Sequence, residues 1–259
     1  MVSQQYLEKA KSWFGQYTQG FLIDEPEFDQ NIILKREHTY RVCDEMVSLC
    51  ESIGLAGDLA RAAEISALLH DIGRFEQYRT YKTFVDKQSE NHAELGLKII
   101  DRLELVDGLA KETQQLIKVA IGNHNRVTIS DKLVENELLF AKLLRDADKL
   151  DIWKVVTDYY KRSKFERNRA IELHLPDEDA VSEKVFSDLV GGHIINSSDL
   201  KTLNDFKILQ LAWVFDLNFA HSRNEFVARD YLNLIAGTIT DQLIRKKVVG
   251  IIQTFLQQN

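Results

Sequence analysis

Leu68-Leu69-His70-Asp71-Ile72-Gly73-Arg74-Phe75 sets an imidazole beside a carboxylate at the end of an apolar helical run, two residues before a glycine. Adjacent residues on a helix point about 100° apart, so His70 and Asp71 both reach one ionic site only where the helix ends against it. Gly73 reads as that stop, and Arg74 to Lys87, polar and aromatic, reads as an irregular segment after it. A neutral imidazole nitrogen donates one lone pair, and a carboxylate can bridge two cations through its two oxygens. A His-Asp dipeptide alone is a weak sign of a metal site. Its weight depends on what the rest of the chain brings to the same interior.

Upstream, residues 4–19 read as an amphipathic helix whose Trp13, Phe14 and Tyr17 cover the core. Asp24-Glu25-Pro26-Glu27 has the acidic residues and early proline of a capped helix start. From there to Gly54 the apolar stripe is Leu34, His38, Val42, Met46, Leu49 and Ile53, so His38 takes a place meant for an apolar residue. Asp58 to His70 is an alanine-rich helix. Asn91 followed by Glu94 starts the next one, with His92 in its first turn beside Leu95, Gly96, Ile99 and Leu103. The helix from Lys111 ends at Gly122-Asn123-His124-Asn125, with His124 on the side of Ile117, Ala120 and Ile121.

Glu135 to about Tyr160 is the longest expected helix and holds Arg145-Asp146-Ala147-Asp148-Lys149-Leu150-Asp151. Asp148 lies four residues from Leu144 and from Ile152, on the apolar stripe, where a carboxylate requires a cation. Asp146 has Lys142 and Lys149 nearby, a more solvated setting, and is the reserve candidate. The basic stretch Lys161 to Arg169 reads as a solvated helix end. Ile171 to Leu175 alternates like a very short strand, and residues 176–200 read as small helices and turns. Three helices follow from Leu203, with breaks near His221-Ser222 and Ala236-Gly237, and Trp213, Phe215 and Phe219 as core.

The totals agree with a mainly helical chain. Of 259 residues 44% are hydrophobic, with only two prolines and twelve glycines, which favours helix over sheet. No linker or repeat divides the sequence, so residues 1–259 read as one all-helical domain. Lys and Arg number 33 against 40 Asp and Glu, a net charge of −7, which argues against a nucleic-acid polymer as partner. An anionic substrate therefore needs local positive charge. Met1-Val2-Ser3-Gln4-Gln5 lacks the apolar core of a secretion signal and no apolar run reaches the ~20 residues of a membrane span, so a cytoplasmic protein off the membrane is expected. Cys43 and Cys50, seven apart on one helix, lie roughly 10 Å from each other along its axis and cannot pair.

Six inward donors on five helices, His38, His70, Asp71, His92, His124 and Asp148, suit two divalent ions with Asp71 between them. In order, spacing and helical setting, His38, His70-Asp71 and Asp148 resemble the motif of the HD superfamily of metal-dependent phosphohydrolases, over roughly residues 30–160. His92 and His124 resemble the extra histidines of its binuclear members. The resemblance implies an HD helical bundle at about 30–160 with further helices at about 161–259. It implies one ion held by His38, His70, Asp71 and Asp148, and a second by Asp71, His92 and His124. The ions would be drawn from Mn, Fe, Co, Ni, Zn or Mg. It also favours Asp148 over Asp146, since Ala147-Asp148-Lys149 has the family's flanks, and it makes Lys149 a phosphate contact beside Asp71 at the reaction centre. Arg74 and Lys82 are further candidates for binding a small phosphorylated substrate such as a nucleotide. A Gly-Tyr-Pro run after His-His-Glu, the mark of the cyclic-di-GMP branch, is missing. The same six donors also serve di-iron oxygenases on this scaffold, and a ligand-binding module without catalysis is the third reading.

Overall fold

In the computed structural model, which describes residues 2–161, 172–173 and 175–258, the described residues form helices, turns and loops without a strand. The chain divides into two compact units, one ending at Asp151 and the other starting at Ile152.

The first unit holds α1 (Gln4–Gln19), α2 (Pro26–Ser52), α3 (Gly57–Leu69), α4 (Ile72–Tyr81), α5 (His92–Arg102), α6 (Lys111–His124) and most of α7 (Glu135–Tyr160). Helix α3 packs against α1, α2 and α6, while α5 packs against α4 and α6. The alanines of α3 make this possible: Ala62, Ala63 and Ala67 are wholly buried and let neighbours approach. Phe14 of α1 is fully buried and meets the Phe75 ring edge-on at 5.8 Å, while Trp13 and Tyr17 are half-buried above it. The stripe on α2 runs inward as expected from His38 to Leu49, but Ile53 ends outside at 40% exposure because the helix has stopped at Ser52.

Three local readings are corrected. The segment after Gly73 is helical, α4, up to Tyr81, and only the stretch beyond it is irregular. The break needed to present both His70 and Asp71 is confined to those two residues, after which the helix restarts with Asp71 at its N-cap position. Gly73 is inside α4, and its missing Cβ serves a close approach: a Cβ there would sit 2.2 Å from the His92 carbonyl oxygen. At the start of α2 the cap is not supplied from residues 24–27. Glu25 makes no side-chain cap bond, and instead the Asp29 carboxylate accepts from the Ile23 and Asp24 amides. Asn91 does cap α5, accepting from the Ala93 and Glu94 amides.

The second unit contains the end of α7, α8 (Glu183–Val190), α9 (Leu203–Ala212), α10 (Ala220–Ala228), α11 (Tyr231–Ala236) and α12 (Gln242–Gln258). Its buried centre is Trp153, whose indole N–H donates to the Gln210 carbonyl at 2.8 Å and whose ring meets Phe226 at 4.5 Å. Trp213, Phe215 and Phe219, expected there, are only half-buried, because they fall on the tight turn and loop after α9 rather than on a core-facing helix. His221-Ser222 lies within α10, so the breaks come at 213–219, 229–230 and 237–241. Residues 162–169 of the basic stretch lie outside the described residues, as do Ile171 and His174 of the expected strand. Glu172 and Leu173 form a turn. No described helix is long and apolar enough to cross a membrane. Cys43 and Cys50 are free and buried.

Candidate metal centre

All six expected donors come together in the first unit. His38 Nε2 stands 3.2 Å from Asp148 Oδ1 and 3.7 Å from Asp71 Oδ2. His70 Nε2 lies 3.6 Å from each of the same two oxygens. The other Asp71 oxygen, Oδ1, faces His92 Nε2 at 3.4 Å and His124 Nε2 at 3.8 Å, and those two nitrogens are 3.0 Å apart. Asp71 thus turns one oxygen to each of two donor sets. Metal–ligand bonds of about 2.1 Å at angles of about 90–110° would place neighbouring donor atoms about 3.0–3.4 Å apart, close to the spacing here. Three overlapping groups of these residues meet the geometry of an ion site.

The chemistry of the nitrogens supports a cation as well. His70 Nδ1 donates to the Ala67 carbonyl and His124 Nδ1 to the Ile121 carbonyl, both at 2.7 Å. A carbonyl only accepts, so Nδ1 carries the proton in each ring and Nε2 presents a lone pair to the centre. His38 Nδ1 is 2.6 Å from Asp151 Oδ2, and His92 Nδ1 is 2.8 Å from Asp86 Oδ2. His38 Nε2 and His70 Nε2 are buried without a hydrogen-bond partner. Buried lone pairs left unpaired in this way are costly unless an ion takes them, so the residues present fit divalent metal binding.

Electrostatics leave the donors in suitable states. Burial works against ionised carboxylates, yet Lys35, His70 and Arg74 hold Asp71 well below the usual carboxylate range. For Asp148, burial is again outweighed, here by His38 and His70. Burial, with Arg74 next, pushes His92 down to about 3, leaving its ring neutral. His38 moves the other way: burial and Lys35 both favour its neutral form, but Asp148 and Asp151 together override them and raise it.

The remaining expected residues divide. Asp146, expected in the more solvated setting, is fully buried, whereas the Asp148 side chain keeps 14% exposure. The reason is that the middle of α7 is buried nearly all round, its charged Arg145, Asp146 and Lys149 as well as Phe140, Leu143, Leu144, Ala147 and Leu150. Lys149 is buried beside Asp148 at 8% exposure. Arg74 Nε reaches within 3.6 Å of Asp71 Oδ1, and its Nη1 donates to Gln77, Phe84 and Asp86. Lys82 is not brought to the cluster. It follows the last turn of α4, about 16 Å along the axis from Asp71 at ~1.5 Å per residue, with its ammonium 4.0 Å from the centre of the Phe28 ring.

Several supporting residues escaped the sequence reading. Asp151, wholly buried, is held by Arg41 Nε at 2.6 Å while it orients His38. It sits one turn after Asp148, a spacing that could have marked it. Lys35, one turn before His38, donates to Asp71 Oδ2 at 2.7 Å. Asp86 and Asn125 meet at His92, 3.3 Å from each other, from loops with no periodic signal. Arg145 donates to the carbonyls of Asn123, His124 and Arg126 and so fixes the end of α6 that carries His124.

With this geometry in hand, residues 36–153 match the family model of the HD domain. No curated protein and no solved structure matches the chain.

Proposed function

Because residues 36–153 form an HD domain, we propose that the chain is a cytoplasmic metal-dependent phosphohydrolase. Its substrate is a phosphate ester of a nucleotide or another small phosphorylated metabolite. The observation that carries this reading is the placement of Asp71, whose two oxygens face separate sets of imidazole and carboxylate donors. His38, His70, Asp71 and Asp148, and Asp71, His92 and His124, would hold divalent ions, which when bound would supply an acidified water and positive charge for phosphate oxygens.

The chain's own residues do the rest. Asp71 holds the two donor sets in register. Asp151 and Asp86 keep His38 and His92 turned so that Nε2 faces the centre. The Ala67 and Ile121 carbonyls do the same for His70 and His124 without adding charge. In this reading Lys149, the residue after Asp148, and Arg74, whose Nε is 3.6 Å from Asp71 Oδ1, contribute positive charge toward phosphate oxygens.

The test is elemental analysis of the purified protein together with a screen of nucleotides and small phosphoesters under Mn, Fe, Co and Mg. Release of inorganic phosphate that depends on added metal and vanishes in Asp71→Ala supports the reading. Full activity in Asp71→Ala, or turnover that requires oxygen, overturns it.

A further inference from the structure

The carboxylates around the donor cluster are not compensated alike. Asp151 is paired with Arg41 at 2.6 Å and Asp86 with Arg74 at 2.9 Å. Asp71 faces the histidines and has two cations near it, Arg74 Nε at 3.6 Å from Oδ1 and the Lys35 ammonium, whose Nζ is 2.7 Å from Oδ2. That oxygen is also the one turned to His38 and His70. The ammonium and an ion at the first donor set would therefore compete for the same oxygen and repel each other.

Lys35 is also more accessible to solvent than the donors it touches. Its side chain keeps 20% exposure, against 4% for His38 and Asp71. The Phe84 ring flanks it, with Nζ 5.6 Å from the ring centre. A lysine head on a four-carbon stem can turn from one anion to another without moving its backbone. Lys35 is three residues before His38 on α2, so it stays on the face that carries the site.

We propose that Lys35 is a phosphate-binding residue of this centre, released from Asp71 by the ions and turned to the substrate, and that it favours phosphomonoesters over phosphodiesters. A monoester phosphate carries a charge of about −2 near pH 7, against one negative charge for a diester, so one added ammonium is worth more to the monoester. The inference rests on the phosphohydrolase reading for its substrate class and on the geometry of Lys35 alone for its anion site.

The experiment compares wild type, Lys35→Met and Lys35→Arg by calorimetric titration. Metal-free protein is titrated with Mn²⁺, and Mn²⁺-loaded protein with inorganic phosphate. In Lys35→Met, phosphate affinity falls about tenfold or more, as expected for losing a hydrogen bond to a charged group. Mn²⁺ affinity stays equal or tightens, and Lys35→Arg recovers most of the phosphate affinity. The kcat/KM for p-nitrophenyl phosphate falls further than that for bis(p-nitrophenyl) phosphate. Weaker Mn²⁺ binding with phosphate affinity unchanged would overturn the proposal, leaving Lys35 as a fixed counter-charge to Asp71. If Lys35→Met does not fold, Lys35→Gln takes its place in the same comparison. Wild type that binds Mn²⁺ and phosphate but cleaves no phosphoester would refute the phosphohydrolase reading, while the Lys35 site would still stand or fall on the phosphate titration.

Discussion

Gly73→Ala tests how the centre is assembled, because it adds one methyl where two helices touch through their backbones. The new Cβ would lie 2.2 Å from the His92 carbonyl oxygen and 2.8 Å from the Gly96 nitrogen. Non-bonded atoms settle at about 3.5 Å, so α4 and α5 must part by about 1 Å. Neither obstacle is a side chain that can rotate away, so the overpacking cost lies at the upper end of its usual range, about 3 kcal/mol. Alanine returns about 1 kcal/mol through its better helix propensity. The net loss is about 2 kcal/mol, or about 4–8 °C in Tm for a chain of this size. Function suffers more than stability. His92 Nε2 and Asp71 Oδ1, 3.4 Å apart, would move beyond the about 3.0–3.4 Å that one ion with bonds of about 2.1 Å bridges comfortably. The assay pairs calorimetry of the metal-free protein with Mn²⁺ stoichiometry by elemental analysis, and the expected result is a lower Tm and the loss of one equivalent of metal. Gly96→Ala is the control, since its Cβ meets its nearest neighbours at 3.4 Å or more, an ordinary contact, and both readings should hold at wild-type values or better. Gly73→Ala with unchanged Tm and metal content would refute the close-approach argument.

Asp151→Asn removes the charge that orients His38, and metal affinity should fall about 10- to 100-fold with the circular dichroism spectrum retained; an unchanged Kd would count against a role for Asp151. Asp71→Asn removes the bridging charge while keeping the shape, so titration calorimetry should show both metal sites weakened together rather than one. Burial raises the Cys43 thiol and pushes Cys50 up to about 11. A raised thiol pKa means the protonated, unreactive form at pH 8, so both cysteines should resist Ellman's reagent in the folded protein and react in guanidinium. Trp153→Leu takes away a fully buried ring and its N–H bond to Gln210 and should lower stability by about 3 kcal/mol, read from the urea midpoint.

The helices of the first unit were legible because their apolar periodicity is strong. The expected bounds of α1 and α7 coincide with the observed ones, and those of α3 and α6 lie within a residue or so. Where the reading failed, two explanations of one residue type were locally equal. Gly73 after His70-Asp71 has the appearance of a helix stop, and only the neighbouring α5 backbone shows that it is a point of contact. Asp146 and Asp148 were separated by one face of α7, but that helix is buried on almost every side, so a solvated neighbour could not be inferred from nearby lysines.

By itself the sequence determined a helical chain and the six residues that the fold gathers into one donor cluster, since a histidine or aspartate on an apolar stripe is anomalous wherever it packs. It could not determine which oxygen of Asp71 faces which donors, nor that Lys35, Asp86, Asp151 and Arg145 hold the site from outside. Those residues are ordinary surface types in the sequence, and only the packing of α2, α5, α6 and α7 brings them within hydrogen-bonding distance. Periodicity fixes which side of a helix is oily, whereas the spacing between atoms on different helices exists only once the chain has closed.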